Sequence, residues 1–410
     1  MIITDKIRCI LSDIKDQVTN NINLFEDPSV ENGKMGLAIF YFYYHQIHQD
    51  DKYLVLAEQM IEDSVQLLSA ISEKNMFTPK YRGDSLSNII SSFGKGLLFI
   101  ENRFNYEYDF SEYYNAISET LIELNRQNFK RKDFDFFSGA LAGGHFFLNS
   151  YFHKKDDISR QALLDISDSL VESAVYNNNN EVYWSAPSYF NYVYLGISHG
   201  SAMIINFMTK LFELKILNDD NVKEKIVLVN AVNFLLNRQR TVKDGYFPHY
   251  FLQKEEMNPT QFGLCYGDLG IAYTLFNVNK IIHNDSLAKA SDFMLTSICQ
   301  RKNDPQLTFD ASIFYGAAGI FCVFDELFHK DGQIKYEDAA KYWYDQILTY
   351  RDDENESALR FIDSQHFKED DGNKSANFSF GWGLAGVGIC LMLKMKSGLP
   401  RLNETLLIGI

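Results

Sequence analysis

The sequence predicts an all-α protein of about seven helix pairs, an inner ring of apolar helices wrapped by an outer ring of amphipathic ones. Three observations lead there. A short glycine phrase returns seven times along the 410 residues, with successive copies about 45 to 70 residues apart, the period of a helical-pair repeat. Each copy leads into a strongly apolar segment of helical length. Between these segments lie others with apolar residues at i, i+3, i+4 and i+7 and charges on the remaining positions.

In chain order the phrases are Asn32-Gly33-Lys34-Met35-Gly36, Phe93-Gly94-Lys95-Gly96, Gly139-Ala140-Leu141-Ala142-Gly143, His199-Gly200-Ser201-Ala202, Cys265-Tyr266-Gly267-Asp268-Leu269-Gly270, Tyr315-Gly316-Ala317-Ala318-Gly319 and Trp382-Gly383-Leu384-Ala385-Gly386. The apolar segments that follow include Leu37 to His45, Ile204 to Ile216, Ile271 to Ile282, Ile320 to Phe328 and Val387 to Leu393. Apolar on nearly every face, they read as helices surrounded by protein. Tyr53 to Leu68, Tyr113 to Leu124, Ser159 to Val175, Glu224 to Asn237 and Tyr336 to Tyr350 read as the outer, amphipathic helices. Strand-like alternation is confined to Val182 to Trp184 and Tyr246 to Phe251, expected as short excursions within loops. A glycine ahead of a helix start tolerates positive φ and close backbone approach, and the free N–H groups of the first turn then face the centre of the ring.

With 46% hydrophobic and 15% aromatic residues the chain can bury a large core. The repeat runs from Gly33 to Gly386 without a Pro/Ser-rich linker, so one domain is expected over residues 1–410. A formal net charge of −15 argues against a nucleic-acid partner, which needs a basic face. The start has no apolar signal core and no later run reaches the length of a membrane span, so a cytoplasmic location is expected. Five scattered cysteines, Cys9, Cys265, Cys299, Cys322 and Cys390, fit free thiols better than a disulfide framework. All but Cys265 sit in apolar helical segments and are expected as small core residues. The acidic runs at Asp352-Asp353-Glu354 and Glu369-Asp370-Asp371 read as solvated loops rather than metal-binding carboxylates.

Reactive side chains stand beside three of the repeat glycines. His199 precedes Gly200, Cys265 and Tyr266 precede Gly267, and Asp135 lies four residues ahead of Gly139. Equivalent helix-start positions on neighbouring inner helices would bring them to one end of the ring as a single site. Each alone has an ordinary structural reading as well.

These residues carry a resemblance. Leu195-Gly196-Ile197-Ser198-His199-Gly200, Leu264-Cys265-Tyr266-Gly267-Asp268-Leu269-Gly270-Ile271, Phe134-Asp135 with Gly139, and Gly383-Leu384-Ala385-Gly386-Val387-Gly388 resemble the signature phrases of the lanthionine synthetase C-like family. The closing segment Leu402-Asn403-Glu404-Thr405-Leu406-Leu407 is similar too. The resemblance implies an α/α toroid of seven inner and seven outer helices. It also implies a cyclase that adds a peptide cysteine thiol across the double bond of dehydroalanine or dehydrobutyrine, forming a thioether ring in a precursor peptide, with a dehydratase as a further partner. In that scheme a zinc ion held by two cysteines and a histidine activates the thiol. Carried onto this chain, the first zinc cysteine falls on Cys265, the proton-transfer histidine on His199, its aspartate on Asp135 and a site tyrosine on Tyr266.

The chain departs from the family at the other two zinc ligands, where a Cys-His-Gly phrase is replaced by Phe314-Tyr315-Gly316. Zinc at an open catalytic site normally has three protein donors, so no zinc cofactor is expected here. An arginine and a tryptophan of the pattern fall on Gln261 and Leu264, and a glycine on Met203. Full ionisation of a thiol by a metal is worth about 30-fold in thiolate at neutral pH, or about 2 kcal/mol. A base such as His199 can replace part of that. Three readings follow: a thioether cyclase working without the usual zinc, a non-catalytic scaffold for the modified peptide or a dehydratase, and a glycoside hydrolase using Asp135 and Asp268 with Trp184 or Trp382 as stacking platforms.

Overall fold

The computed structural model describes residues 2–74, 85–240, 245–251, 262–302, 308, 310–351, 361 and 374–410, with side chains undescribed at 2–4 and 72–74. Gln261 and both acidic runs, Asp352 to Glu354 and Glu369 to Asp371, lie outside the described residues. In chain order the helices are α1 (Ile2–Asn20), α2 (Lys34–His48), α3 (Asp51–Lys74), α4 (Leu86–Arg103), α5 (Ser111–Arg131), α6 (Ala140–Lys154) and α7 (Asp157–Glu172). Then come α8 (Ser201–Glu213), α9 (Val222–Leu236), α10 (Asp268–Val278), α11 (Asp285–Gln300), α12 (Ala317–Asp331), α13 (Ile334–Thr349) and α14 (Leu384–Leu393). Four two-residue strands, β1 (Val175–Tyr176), β2 (Val182–Tyr183), β3 (Val193–Tyr194) and β4 (Tyr250–Phe251), and a few short 3-10 turns complete the regular structure among the described residues.

The chain falls into two compact units. One comprises Met1–Thr78, Lys95–Tyr108 and Thr308–Thr405. In it α2 pairs with α3 and α12 with α13. Met35 to Tyr44 of α2 and Leu384 to Met392 of α14 are buried without interruption, as their all-round apolar sequence requires. Lys95 and Glu31 form an ion pair there at 3.5 Å, 2% and 1% exposed. The other unit comprises Pro79–Gly94, Asp109–Leu307 and Leu406–Ile410, and holds the pairs α6 with α7, α8 with α9 and α10 with α11. Its sheets are two antiparallel ladders, Val175 opposite Tyr183 and Tyr194 opposite Tyr250. The structure adds β1 and β3 to the two strand segments expected; at two residues each they are too short for alternation to reveal.

Three expectations are corrected. Phe93-Gly94-Lys95-Gly96 does not precede a helix but lies inside α4, which starts where the Ser85 hydroxyl accepts the Asn88 N–H at 3.0 Å. The Gly94 and Gly96 positions there admit the Phe146 ring and the Met35 side chain, which a Cβ would meet at 2.7 and 2.2 Å. Positive φ is found at Gly267 (87°), whereas the helix N-cap glycines 33, 139, 200, 316 and 383 are extended. What forces glycine at these caps is the preceding loop folding back onto them. Finally, Cys9 is exposed and Cys299 only partly buried, because α1 and α11 are amphipathic and these thiols miss the buried stripe. Cys322 and Cys390 are core, with sulfurs 3.6 Å apart.

Candidate functional site

Asp135 sits in the loop between α5 and α6, and that loop is tied by its own acidic groups. Asp133 accepts the Asp135 N–H at 3.1 Å, and Asp135 Oδ1 accepts the N–H groups of Phe137 (2.8 Å) and Ser138 (3.0 Å). These are aspartate turns, in which a short carboxylate satisfies backbone donors two or three residues ahead. The Asp133 carbonyl accepts the Ala140 N–H at 2.9 Å and so starts α6. A Cβ on Gly139 would lie 2.4 Å from Asp135 N and 2.6 Å from the Asp133 carbonyl oxygen, so only glycine lets the loop close this tightly. With Oδ1 occupied, Oδ2 is left to face His199.

His199 ends the loop from β3 to α8, one residue ahead of the N-cap Gly200. The Leu195 N–H donates to the His249 carbonyl at 3.0 Å, extending the β3–β4 pairing into this loop. His199 Nδ1 then stands 2.6 Å from Asp135 Oδ2, with side-chain exposures of 7% and 0%. A carboxylate is an acceptor, so Nδ1 carries a proton, and in the neutral ring it is Nε2 that presents the lone pair. Among the described residues Nε2 has no hydrogen-bond partner. The rings of Phe137, Tyr194 and Tyr266 lie 5.6, 5.7 and 5.8 Å from the imidazole, centroid to centroid.

Tyr266 lies between two imidazoles, His199 and, at 5.1 Å in a stacked arrangement, His249. Burial lowers the His249 pKa and the charge of Arg240 adds to it, favouring the neutral ring. Cys265 follows the same loop; its carbonyl accepts the Ser198 hydroxyl at 3.0 Å. The Cys265 side chain is buried, and burial alone pushes its thiol well above the ordinary range. Thus His199 stands against both Asp135 and Tyr266, with Cys265 the residue before Tyr266.

The other residues raised by the sequence have structural work. Asp268 accepts the N–H groups of Tyr246 and Phe247 at 3.0 Å each and pairs with Arg301 at 2.6 Å. Trp184 is buried and donates to the Leu170 carbonyl. In the other unit Phe314 and Tyr315 pack against Trp382 at 4.7 and 4.8 Å. A zinc ion does not fit the residues present. Phe314 has no donor atom, the Tyr315 ring is engaged with Trp382, and a single thiol does not make a zinc site. Among the described residues no three His, Cys, Asp or Glu side chains are placed to hold a metal ion.

Asp133, Phe137, Tyr194 and His249 were not singled out from the sequence. A signal for the first existed in the repeat. Asp133-x-Asp135-x-x-x-Gly139 has the spacing of Asp27-x-Ser29-x-x-x-Gly33 and Asp310-x-Ser312-x-x-x-Gly316, and in both of those the aspartate accepts the serine N–H, at 2.6 and 2.8 Å. Asp135 is the carboxylate placed where the sister copies carry serine.

The helical-pair repeat has a counterpart among known protein families. The sequence model of the lanthionine synthetase C-like protein family matches residues 25–407. The chain belongs to that family. Among solved structures it is similar to nisin cyclase, with a TM-score of 0.72 at 14% identity over 99% of this chain and 97% of that one; it shares that protein's α/α toroid fold. Unsaturated glucuronyl hydrolases from Streptococcus agalactiae and Bacillus sp. GL1 match at TM-scores of 0.42 and 0.43, with 10% and 12% identity. They cover 96% and 94% of this chain and 92% and 96% of their own, and at that level carry no argument about function. No curated protein sequence matches the chain.

Proposed function

We propose that the protein closes thioether rings in a dehydrated precursor peptide, using His199 as the acid/base group and no zinc. The observation that supports this best is the 2.6 Å contact between His199 Nδ1 and Asp135 Oδ2. It fixes the tautomer, aims Nε2 away from the carboxylate and stabilises the imidazolium that forms on proton transfer. The substrate thiol gives its proton to Nε2 as sulfur attacks Cβ of the dehydroamino acid. The S–Cβ bond forms, the C=C π pair moves to Cα as an enolate, and the imidazolium returns the proton to Cα. No atom or electron is left over. Binding both reacting groups of one peptide together supplies proximity that can outweigh the about 2 kcal/mol a metal would add through thiol ionisation. Tyr266 lines the imidazole, and Cys265, the one retained zinc-ligand position, acts here as a buried loop residue.

The same reading takes residues 1–410 as one domain, supported by a family match that runs through both units, and places the protein in the cytoplasm with its peptide and a dehydratase. No helix among the described residues is long and apolar enough to cross a membrane. The experiment is incubation with a dehydrated, cysteine-bearing peptide, with free thiols counted by alkylation and mass spectrometry against a no-protein control. A second reading, a non-catalytic scaffold for the modified peptide or dehydratase, is favoured by the aromatic packing of Phe314 and Tyr315 on Trp382. Ring closure at the background rate, with tight peptide or dehydratase binding, would select it.

A further inference from the structure

Between β2 and β3 the chain makes one 3-10 turn, Pro187–Tyr189. The N–H groups of Tyr189 and Asn191 both donate to the Ala186 carbonyl at 3.0 Å, and Ala186 bridges to Tyr192. The two residues after the turn, Phe190 and Asn191, are both left-handed, with φ of 62° and 55°. A left-handed residue bearing a side chain costs about 1–2 kcal/mol, and such strain persists only where the surroundings over-determine it. Burial of the turn does not hold it, because Pro187, Ser188 and Tyr189 are all partly exposed and Phe190 is 58% exposed.

Besides the ring contacts of Tyr189 with Tyr194 and of Phe190 with Tyr192, the turn is tied to the loop that carries Asp135 and to the ring of His199. The Ser188 hydroxyl donates to Asp133 Oδ2, while Asp133 Oδ1 accepts the N–H of Asp135. The next residue, Tyr189, sets its ring 4.0 Å from the imidazole of His199, tilted at 42°, the nearest of the rings around it. Adjacent side chains of one turn therefore reach both halves of the pair, the Asp135 backbone through Asp133 and the imidazole directly. We propose that the Ser188–Tyr189 turn is a clamp, and that Ser188 and Tyr189 are positioning residues that keep the His199 ring aligned on Asp135. The remaining groups facing His199 are Asp135 and Phe137 from the loop before α6, Tyr194 from β3 and Tyr266 from the loop before α10. Of these, Phe137 also touches both halves, its N–H donating to Asp135 Oδ1 and its ring lying 5.6 Å from the imidazole, but it belongs to the helix-start loop that carries Asp135, whereas the turn comes from the separate β2–β3 connection.

The activity arm of the test rests on the proposed acid/base role of His199; the spectroscopic arm does not. The full chain is examined by proton NMR for the hydrogen-bonded imidazole Nδ1–H, assigned by its loss in His199→Asn, and by steady-state ring closure on a dehydrated peptide. Tyr189→Ala and Ser188→Ala should broaden or abolish that resonance and lower kcat about 10- to 100-fold with little change in KM, the effect of misaligning a reacting group. Tyr189→Phe keeps the ring and Ser188→Thr the hydroxyl, so both should retain signal and rate. Should Tyr189→Ala fail to fold by circular dichroism, Tyr189→Leu is read in its place. An unchanged resonance and kcat in the disrupted variants would overturn the clamp, as would a change in KM alone, which would make Tyr189 a substrate contact. Loss of the resonance in a protein whose wild type shows no turnover would uphold the clamp and reject the cyclase reading.

Discussion

His199 Nδ1 and Asp135 Oδ2 stand 2.6 Å apart although 64 residues separate them in sequence, and both side chains are almost wholly removed from water. The contact exists because two helix-start loops are each closed against their own glycine, Gly139 for one and Gly200 for the other. Replacing Asp135 by asparagine keeps an Oδ1 for the N–H groups of Phe137 and Ser138 but removes the charge that stabilises an imidazolium. Asp135→Asn should therefore leave the thermal midpoint within a few degrees of wild type and slow ring closure about 10²- to 10⁴-fold. Alkylation mass spectrometry gives the rate and circular dichroism the midpoint.

Gly139→Ala tests the loop rather than the charge. The new methyl would sit 2.4 Å from Asp135 N, and relieving an overpacked contact costs about 1–3 kcal/mol. It should also displace Asp135 and lower activity, whereas Gly332→Ala, with nothing within 4 Å but φ of 70°, should cost about 1 kcal/mol and leave activity intact. Urea denaturation and the peptide assay distinguish the two.

How far the sequence revealed this arrangement can be judged from the same residues. The apolar segments of α2, α8, α10, α12 and α14 were legible because burial on nearly every face leaves few charged positions, such as Lys210 in α8 and Asp325 and Glu326 in α12. His199 and Asp135 were legible because they stand next to repeat glycines, and a repeat gives equivalent places. The role of the glycines was legible in part: close backbone approach was expected and is found at the caps, whereas positive φ, expected as well, occurs at Gly267 and not at the extended cap glycines. Sequence shows that a side chain is excluded, but not whether a dihedral or a neighbouring carbonyl excludes it. Tyr189 was beyond reach, since a tyrosine in a loop between two-residue strands has no periodicity to betray its partner. The helical burial of Gly94 was hidden for a related reason: its meaning lies in the Phe146 ring, on another helix.

Glu181 offers a stability prediction with a defined sign. Although burial pushes its pKa up, hydrogen bonds from Asn237 and Asn177 and the charge of Arg238 outweigh this and hold it below the ordinary glutamate value. A folded-state pKa below the unfolded one adds stability that is present above about pH 4.3, the unfolded value, and is lost as pH falls through the folded value. Urea unfolding followed from pH 6 to pH 3 should thus show an acid-side loss that is diminished in Glu181→Gln. At neutral pH, Glu181→Ala should cost about 2–3 kcal/mol by leaving Arg238 and two amides short of a partner.

Metal content follows from the donor chemistry. Elemental analysis of the purified protein should find no stoichiometric zinc; about one zinc per chain, lost in Cys265→Ala, would contradict this. The double substitution Phe314→Cys with Tyr315→His removes two rings packed on Trp382, so it should lower stability by about 3 kcal/mol. If it also raises zinc uptake, the geometry of the family's site persists beneath the aromatic replacement.

Ring closure by this protein turns on His199 moving the proton. Because thiols add to dehydroamino acids unaided, the decisive measurement is the initial rate of thioether formation on one dehydrated peptide with wild type, with His199→Ala and with no protein. The wild-type rate should stand well above background and the His199→Ala rate about 10²- to 10⁴-fold lower, in a variant that remains folded and still binds peptide. A wild-type rate equal to background, or a His199→Ala rate equal to wild type, would contradict this role.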